Sequence, residues 1–201
     1  MAIRQAASIW TNRLYRLLAS EEERIPVLAV WPLYTTIDGP MSNLVPNRPR
    51  VASHGRRSFA IVASQYNPEF VKGLVDATRR ELGIVSPNCT ITSFEVPGAF
   101  EIPVVLQEVA NRGGFDAIIA LGCIIQGETA HAELIGESVT NALQDIALRF
   151  RVPVIHEVLL VKNEEQARKR TLGEEQNRGI EAARAAVRVA QVMGEVKLQG
   201  K

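Results

Sequence analysis

From residue 59 onward, short apolar runs alternate with stretches of helical periodicity four times over, and few folds survive that constraint. Phe59-Ala60-Ile61-Val62-Ala63-Ser64 is too short and too continuous for an amphipathic helix, and reads as a strand covered on both faces. Pro68 then opens a helix, where its missing N–H is no loss. Phe70, Leu74, Ala77 and Leu82 share one face of that helix, and Gly83 is its expected stop. Residues 90–96 are β-rich and form a second strand, closed by the turn Pro97-Gly98. A helix is expected from about residue 101 to 112, with Gly113-Gly114 as its stop, and residues 117–125 form the third strand. The next helix, from about residue 132 to 150, carries Leu134, Ile135, Val139, Ala142, Leu143, Ile146 and Phe150 at helical spacing, as for a core-facing stripe. Residues 154–160 make a fourth strand, followed by a short helix near 164–169 and a longer one from about 177 to 193. The order βαβαβαβα calls for a four-stranded parallel sheet with right-handed crossovers and helices on both faces, a three-layer α/β/α sandwich.

The chain has 201 residues, enough for one domain with a substantial core. Residues 58–195 are the expected domain and residues 196–201 a tail. Residues 1–57 read as an irregular N-terminal extension, punctuated by Pro26, Pro32, Pro40, Pro46 and Pro49, with Arg48, Arg50, Arg56 and Arg57 gathered at its end and His54 read as surface. A net charge of +1 argues against a nucleic-acid partner, and no apolar run approaches the roughly 20 residues a membrane span needs. Cys89 and Cys123 have no metal-ligand spacing and are expected to be small core residues in a reducing setting. A cytoplasmic location follows as the expectation. The alternative is an organelle, because Arg4, Arg13 and Arg16 without any acid before Glu21 resemble a transit peptide.

In an open parallel sheet, ligands meet the loops beyond the carboxyl ends of the strands. Four such loops are expected here, at residues 65–68, 97–101, 126–131 and from 161 onward. His131 lies in the third, beside a helix start whose free N–H groups favour an anion. It could transfer protons near neutrality, or serve only as a hydrogen-bonded helix-terminal residue. Arg170 could bind a phosphate through paired N–H groups, or belong to a solvated basic face opposite Glu164, Glu165, Glu174 and Glu175. Tyr66 and Phe100 could stack on a planar ring or plug the core. Glu101 could accept hydroxyl hydrogen bonds or be a first-turn acid favoured by the helix dipole. His156, inside the fourth strand, reads as a half-buried or interface residue. Neither a phosphate-binding P-loop nor a serine nucleophile elbow is present.

Together these loops resemble the lumazine synthase family of riboflavin biosynthesis, whose fold is flavodoxin-like. The matching blocks are Ser64-Gln65-Tyr66-Asn67, Val96-Pro97-Gly98-Ala99-Phe100-Glu101-Ile102-Pro103, Gly122-Cys123-Ile124-Ile125-Gln126-Gly127-Glu128-Thr129-Ala130-His131, Val152-Pro153-Val154-Ile155, and Glu165-Gln166-Ala167 through Asn177-Arg178-Gly179. The resemblance implies a condensation of 5-amino-6-(D-ribitylamino)uracil with 3,4-dihydroxy-2-butanone 4-phosphate, without metal or organic cofactor. By position it assigns His131 to proton transfer. Tyr66, Asn67, Ala99, Phe100, Glu101, Ile124, Ile125 and His156 fall to the pyrimidine and ribityl chain, and Gly127, Glu128, Thr129, Arg170 and Arg178 to the phosphate. It also implies a homo-oligomer, a pentamer or a 60-mer icosahedral shell, with the active site shared between adjacent subunits, and riboflavin synthase as a possible partner. Two positions depart from the family pattern: Ala132 stands where an aromatic is usual, and His156 where phenylalanine is common. A non-catalytic shell or flavin-binding protein on the same scaffold, and a flavodoxin-like nucleotide binder, are the rival readings.

Overall fold

The computed structural model describes residues 47–49 and 56–199, so the expectations for His54 and for residues 1–46 lie outside the described residues. Four parallel strands, β1 (Ser58–Ser64), β2 (Thr90–Val96), β3 (Ala117–Ile125) and β4 (Val154–Val161), lie in the order β2-β1-β3-β4. The helices are α1 (Pro68–Val85), α2 (Ile102–Arg112, after a single 3-10 turn at Ala99–Glu101), α3 (His131–Phe150), α4 (Glu164–Thr171) and α5 (Arg178–Gln199). The α/β sandwich expected from the alternation is present.

Position in the sheet explains the composition of each strand. The central strands β1 and β3 are covered on both sides and read as unbroken apolar runs. Phe59, Ile61 and Ala63 with Ala117, Ile119, Leu121 and Cys123 face α1 and α5. Ala60 and Val62 with Ile118 and Ala120 face α2 and α3. The edge strands β2 and β4 tolerate Thr92, Glu95, His156 and Glu157 because each has an incompletely covered side.

Small residues let α1 and α5 approach closely. A Cβ on Gly179 would stand 2.4 Å from the Leu74 carbonyl oxygen, so only glycine fits the seam. Thr78 Oγ1 donates to the Gly179 carbonyl at 3.0 Å across it. Further along, the buried Glu81 carboxylate accepts from Arg184 Nε at 2.7 Å and from Arg48 Nε at 2.9 Å. Burial works against the charged form of Glu81, but the hydrogen bonds and charges of both arginines outweigh it and hold the carboxyl below its ordinary value.

Two helix ends differ from expectation. α1 passes through Gly83, which is exposed, and ends at Val85 because Ser86 precedes Pro87, a residue that disfavours helix behind it. α5 runs past Met193 to Gln199, since no proline or turn sequence interrupts it and Gly194 alone is a weak breaker.

Candidate active site

The loops after β1 and β2 are laced together before any ligand is considered. The Gln65 N–H donates to the Val96 carbonyl at 2.8 Å, and the Tyr66 N–H to the Pro97 carbonyl at 3.2 Å. Asn67 takes the left-handed conformation (φ 56°) at the start of α1, which asparagine tolerates better than most residues. Its amide Nδ2 donates to the Cys123 carbonyl at 2.8 Å, tying the β1 loop to the end of β3. One amide donor of Asn67 is therefore occupied in holding the site together.

Gly98 is a close-approach glycine. Its φ of −130° is ordinary extended backbone, yet an added Cβ would stand 2.7 Å from Glu101 Oε2 and 3.2 Å from Tyr66 Cδ2. The Gly98 N–H donates to Glu101 Oε2 at 2.9 Å, so the carboxylate is oriented by the turn it follows.

Against these loops stands the start of α3. Its N-cap residue, Ala130, offers no side-chain acceptor, and the preceding Gly127, Glu128 and Thr129 are exposed. The first-turn N–H groups are thus open to an anion, where the helix dipole also favours one. Gln126 braces this loop, its N–H donating to the Val161 carbonyl at 2.8 Å and its side-chain amide to Glu133.

Together these elements enclose a cavity of about 460 Å³ lined by Tyr66, Gly98, Ala99, Phe100, Glu101, His131, Leu134 and Ile135. Tyr66 is 72% exposed and Phe100 60%, which removes the core-plug reading of both rings. Leu134 is 64% exposed and faces the cavity, not the core stripe expected for it. The rest of the expected core stripe holds at Val139, Leu143 and Ile146, with Ala132 also buried at its start. Ile124 and Ile125 are half-buried at the end of β3, paired in register with Leu160 and Val161.

The remaining expected residues lie elsewhere. His156 projects from β4 toward α3, where its Nδ1 accepts the Val158 N–H at 3.2 Å and its Nε2 meets Thr140 Oγ1 at 2.8 Å. Thr140 in turn donates to the Gly136 carbonyl at 2.8 Å, so the chain of bonds is consistent with a neutral ring carrying its proton on Nε2. Burial of the ring pushes its pKa below the ordinary value, and a backbone hydrogen bond partly offsets this. Arg170 closes α4 and Arg178 opens α5, both half-buried, and Arg178 is ion-paired with Glu181 one turn along. The cavity lining contains His131 but none of Asn67, Ile124, Ile125, Gly127, Glu128, Thr129, His156, Arg170 and Arg178.

Sequence reasoning passed over Glu157 and Glu181. Glu157 is half-buried in β4, and burial together with Glu181 pushes its carboxyl up to about 8, against the opposing charges of Arg178 and Arg170. A charged residue inside an otherwise apolar strand run was the available signal.

A parallel α/β sandwich with a histidine and exposed aromatic rings at one cavity beyond the strand ends defines an α/β protein with a small-molecule cavity at its sheet end. The family model described as 6,7-dimethyl-8-ribityllumazine synthase matches residues 56–194. The curated proteins of that name from Burkholderia multivorans and Paraburkholderia phymatum are 41% and 40% identical over 146 residues, covering 71% of this chain and 81% of each relative. That from Burkholderia cenocepacia is 40% identical over the same length. The chain belongs to the 6,7-dimethyl-8-ribityllumazine synthase family, and is an enzyme of the transferase class acting on small molecules in riboflavin biosynthesis.

Proposed function

We propose that the protein condenses 5-amino-6-(D-ribitylamino)uracil with 3,4-dihydroxy-2-butanone 4-phosphate to give 6,7-dimethyl-8-ribityllumazine, releasing phosphate and water. The observation that carries the reading is the cavity in which His131, Tyr66, Phe100 and Glu101 converge beside the uncapped start of α3. Tyr66 or Phe100 covers the pyrimidine face, with Asn67, Ala99, Ile124 and Ile125 around it. Glu101, already oriented by Gly98, accepts from the ribityl hydroxyls. The backbone N–H groups of Gly127, Glu128 and Thr129 meet the phosphate, since the Glu128 side chain is itself an anion. The substrate supplies its own amine nucleophile. The protein then mainly orients two reactants, an effect worth about 7–11 kcal/mol at best, and His131 moves protons for a further factor of about 10²–10⁴.

Arg170, Arg178 and His156 complete this site from an adjacent copy of the chain. The absence of Arg170, Arg178 and His156 from the cavity lining on one protomer supports a homo-oligomer, and the exposure of Phe100 and Leu134 supports a cavity closed by a second subunit. A neutral His156 ring can stack on the pyrimidine where family members commonly use phenylalanine.

Mixing the two substrates with the purified protein and following lumazine fluorescence tests the reading, and absence of product overturns it. His131→Ala should lower turnover yet leave it measurable. Arg170→Ala should raise KM for the phosphorylated ketone, and unchanged kinetics would remove Arg170 from the site. Native mass spectrometry should find an oligomer, and a stable active monomer would exclude the shared site.

A further inference from the structure

A second cavity, of about 400 Å³, opens at the amino ends of the strands, the opposite end of the sheet from His131. Arg57 precedes β1, Asp116 precedes β3 and Pro153 precedes β4, and all three line it. Its apolar wall includes Phe115, Ile118 and Phe150, which belong to the core on the α2–α3 side, and Met193 of α5. Four cations, Arg56, Arg57, Arg151 and Lys197, share the lining with a single acid, Asp116. Asp116 is largely committed. Its Oδ2 accepts the Ser58 N–H at 2.7 Å, and its Oδ1 stands 3.9 Å from Arg57 Nη1, too far for a hydrogen bond. The Arg57 side chain is only 17% exposed, yet among the described residues its guanidinium makes no hydrogen bond. Five N–H donors withdrawn from water call for acceptors. Arg56, Arg151 and Lys197 form no ion pair among the described residues. Arg151 follows α3 at φ 52° and ψ 38°, the left-handed region that glycine or asparagine usually fills at a helix end. Compensation of the helix dipoles is already supplied by Arg112 and Arg149 in the last turns of α2 and α3, and neither lines the cavity.

We propose that this cavity is a second small-molecule site, for a compact ligand joining an oxyanion to a planar apolar body, in which Arg57 and Arg151 hold the anion and Phe115 and Phe150 border the ring. A bound oxyanion gives Arg57 the acceptors it lacks, and paired N–H groups of a guanidinium match two oxygens of a phosphate. The excess of cations over Asp116 selects for negative charge, and the apolar wall selects against a bare inorganic ion. The volume suits a small molecule. The site is independent of the catalytic reading, because none of its lining residues is assigned to the condensation.

Naphthyl phosphate is a suitable probe, one fused ring system carrying one phosphate. Titrated into the intact, assembled protein and followed by its fluorescence, it should bind, and naphthol, which lacks the anion, should bind about tenfold more weakly or worse. Arg57→Gln and Arg151→Gly should each weaken binding of the phosphate ester about tenfold. Arg151→Gly is the cleaner variant. Glycine suits the left-handed backbone there, so thermal stability should be equal or higher, and lost affinity cannot then be traced to unfolding. Unchanged affinity in both variants overturns the proposal, as does equal affinity for naphthol. Failure of the wild type to bind the probe overturns it as well. Affinity lost in Tyr66→Ala instead would place the probe in the His131 cavity, with the same consequence. Lumazine formation in the same preparations reports separately on the catalytic reading, so the two can fail independently.

Discussion

Replacing Gly98 with alanine separates the geometry of the site from the stability of the fold. The backbone there is ordinary extended chain, so alanine meets no conformational penalty, and a loop Gly→Ala change can add about 0.4–1 kcal/mol through the unfolded state. The obstacle is steric: the new Cβ lies 2.7 Å from Glu101 Oε2 and 3.2–3.3 Å from the Tyr66 ring. The carboxylate is the free end of a flexible side chain, so it swings away and gives up the Gly98 N–H. For a half-exposed acid that loss is about 1.5–2 kcal/mol, the lower part of the range for charged hydrogen bonds. The net change in stability is then about 1 kcal/mol, or about 2–4 °C in Tm for a chain of this size. Binding should suffer more, because Glu101 and Tyr66 both move within the cavity. We expect KM for the ribitylamino-pyrimidine to rise about tenfold, equivalent to about 1.4 kcal/mol, with kcat little changed. Steady-state kinetics on Gly98→Ala, Glu101→Ala and the double variant check the reasoning. Once Glu101 is truncated only the 3.2–3.3 Å contact with the Tyr66 ring remains, so the second substitution should add less than it does alone. Additivity within about 0.5 kcal/mol, or a wild-type KM in Gly98→Ala, would refute it.

Other substitutions probe the scaffold behind the site. Glu81→Ala should destabilise by about 3 kcal/mol in urea unfolding, less than the maximum for a fully buried pair because its arginine partners keep some solvent. The Glu81 carboxyl is held below its ordinary value in the fold, so its contribution is present above the unfolded pKa and is lost as pH falls through the folded one. Acid sensitivity should therefore diminish in Glu81→Gln, seen as a flatter Tm–pH curve on the acid side. Gly179→Ala should open the α1–α5 seam and weaken the Thr78 hydrogen bond, lowering stability by about 2–4 kcal/mol, measurable as a lower denaturant midpoint. The Cys123 thiol is buried and pushed up to about 11, so it should resist alkylation at neutral pH in the native protein and react only on unfolding, as mass spectrometry of labelled peptides would report.

Much of the fold was legible because periodicity is a local signal. The runs that became β1 and β3 are continuous because neighbours bury both faces, and the same continuity is visible in the bare sequence. The alternation of strand and helix then required a parallel sheet, and placed Tyr66, Gly98 to Glu101 and His131 at one end of it. Leu134 shows where the local signal stops: helical spacing marks an apolar stripe, but whether its edge meets a core or a cavity depends on what is packed opposite.

What only the tertiary structure decided are the relations between distant stretches of chain. The order β2-β1-β3-β4, and the pairing of α1 with α5 and of α2 with α3 on opposite faces, follow from how whole elements stack. That stacking leaves Arg170 and Arg178 out of the His131 cavity. It also ties Asn67 to Cys123 across 56 residues. A sequence specifies which residues can form each element, because backbone propensity and side-chain period act over a few positions. Which of those residues meet is set by long-range packing, where burial of one face against another outweighs any local preference.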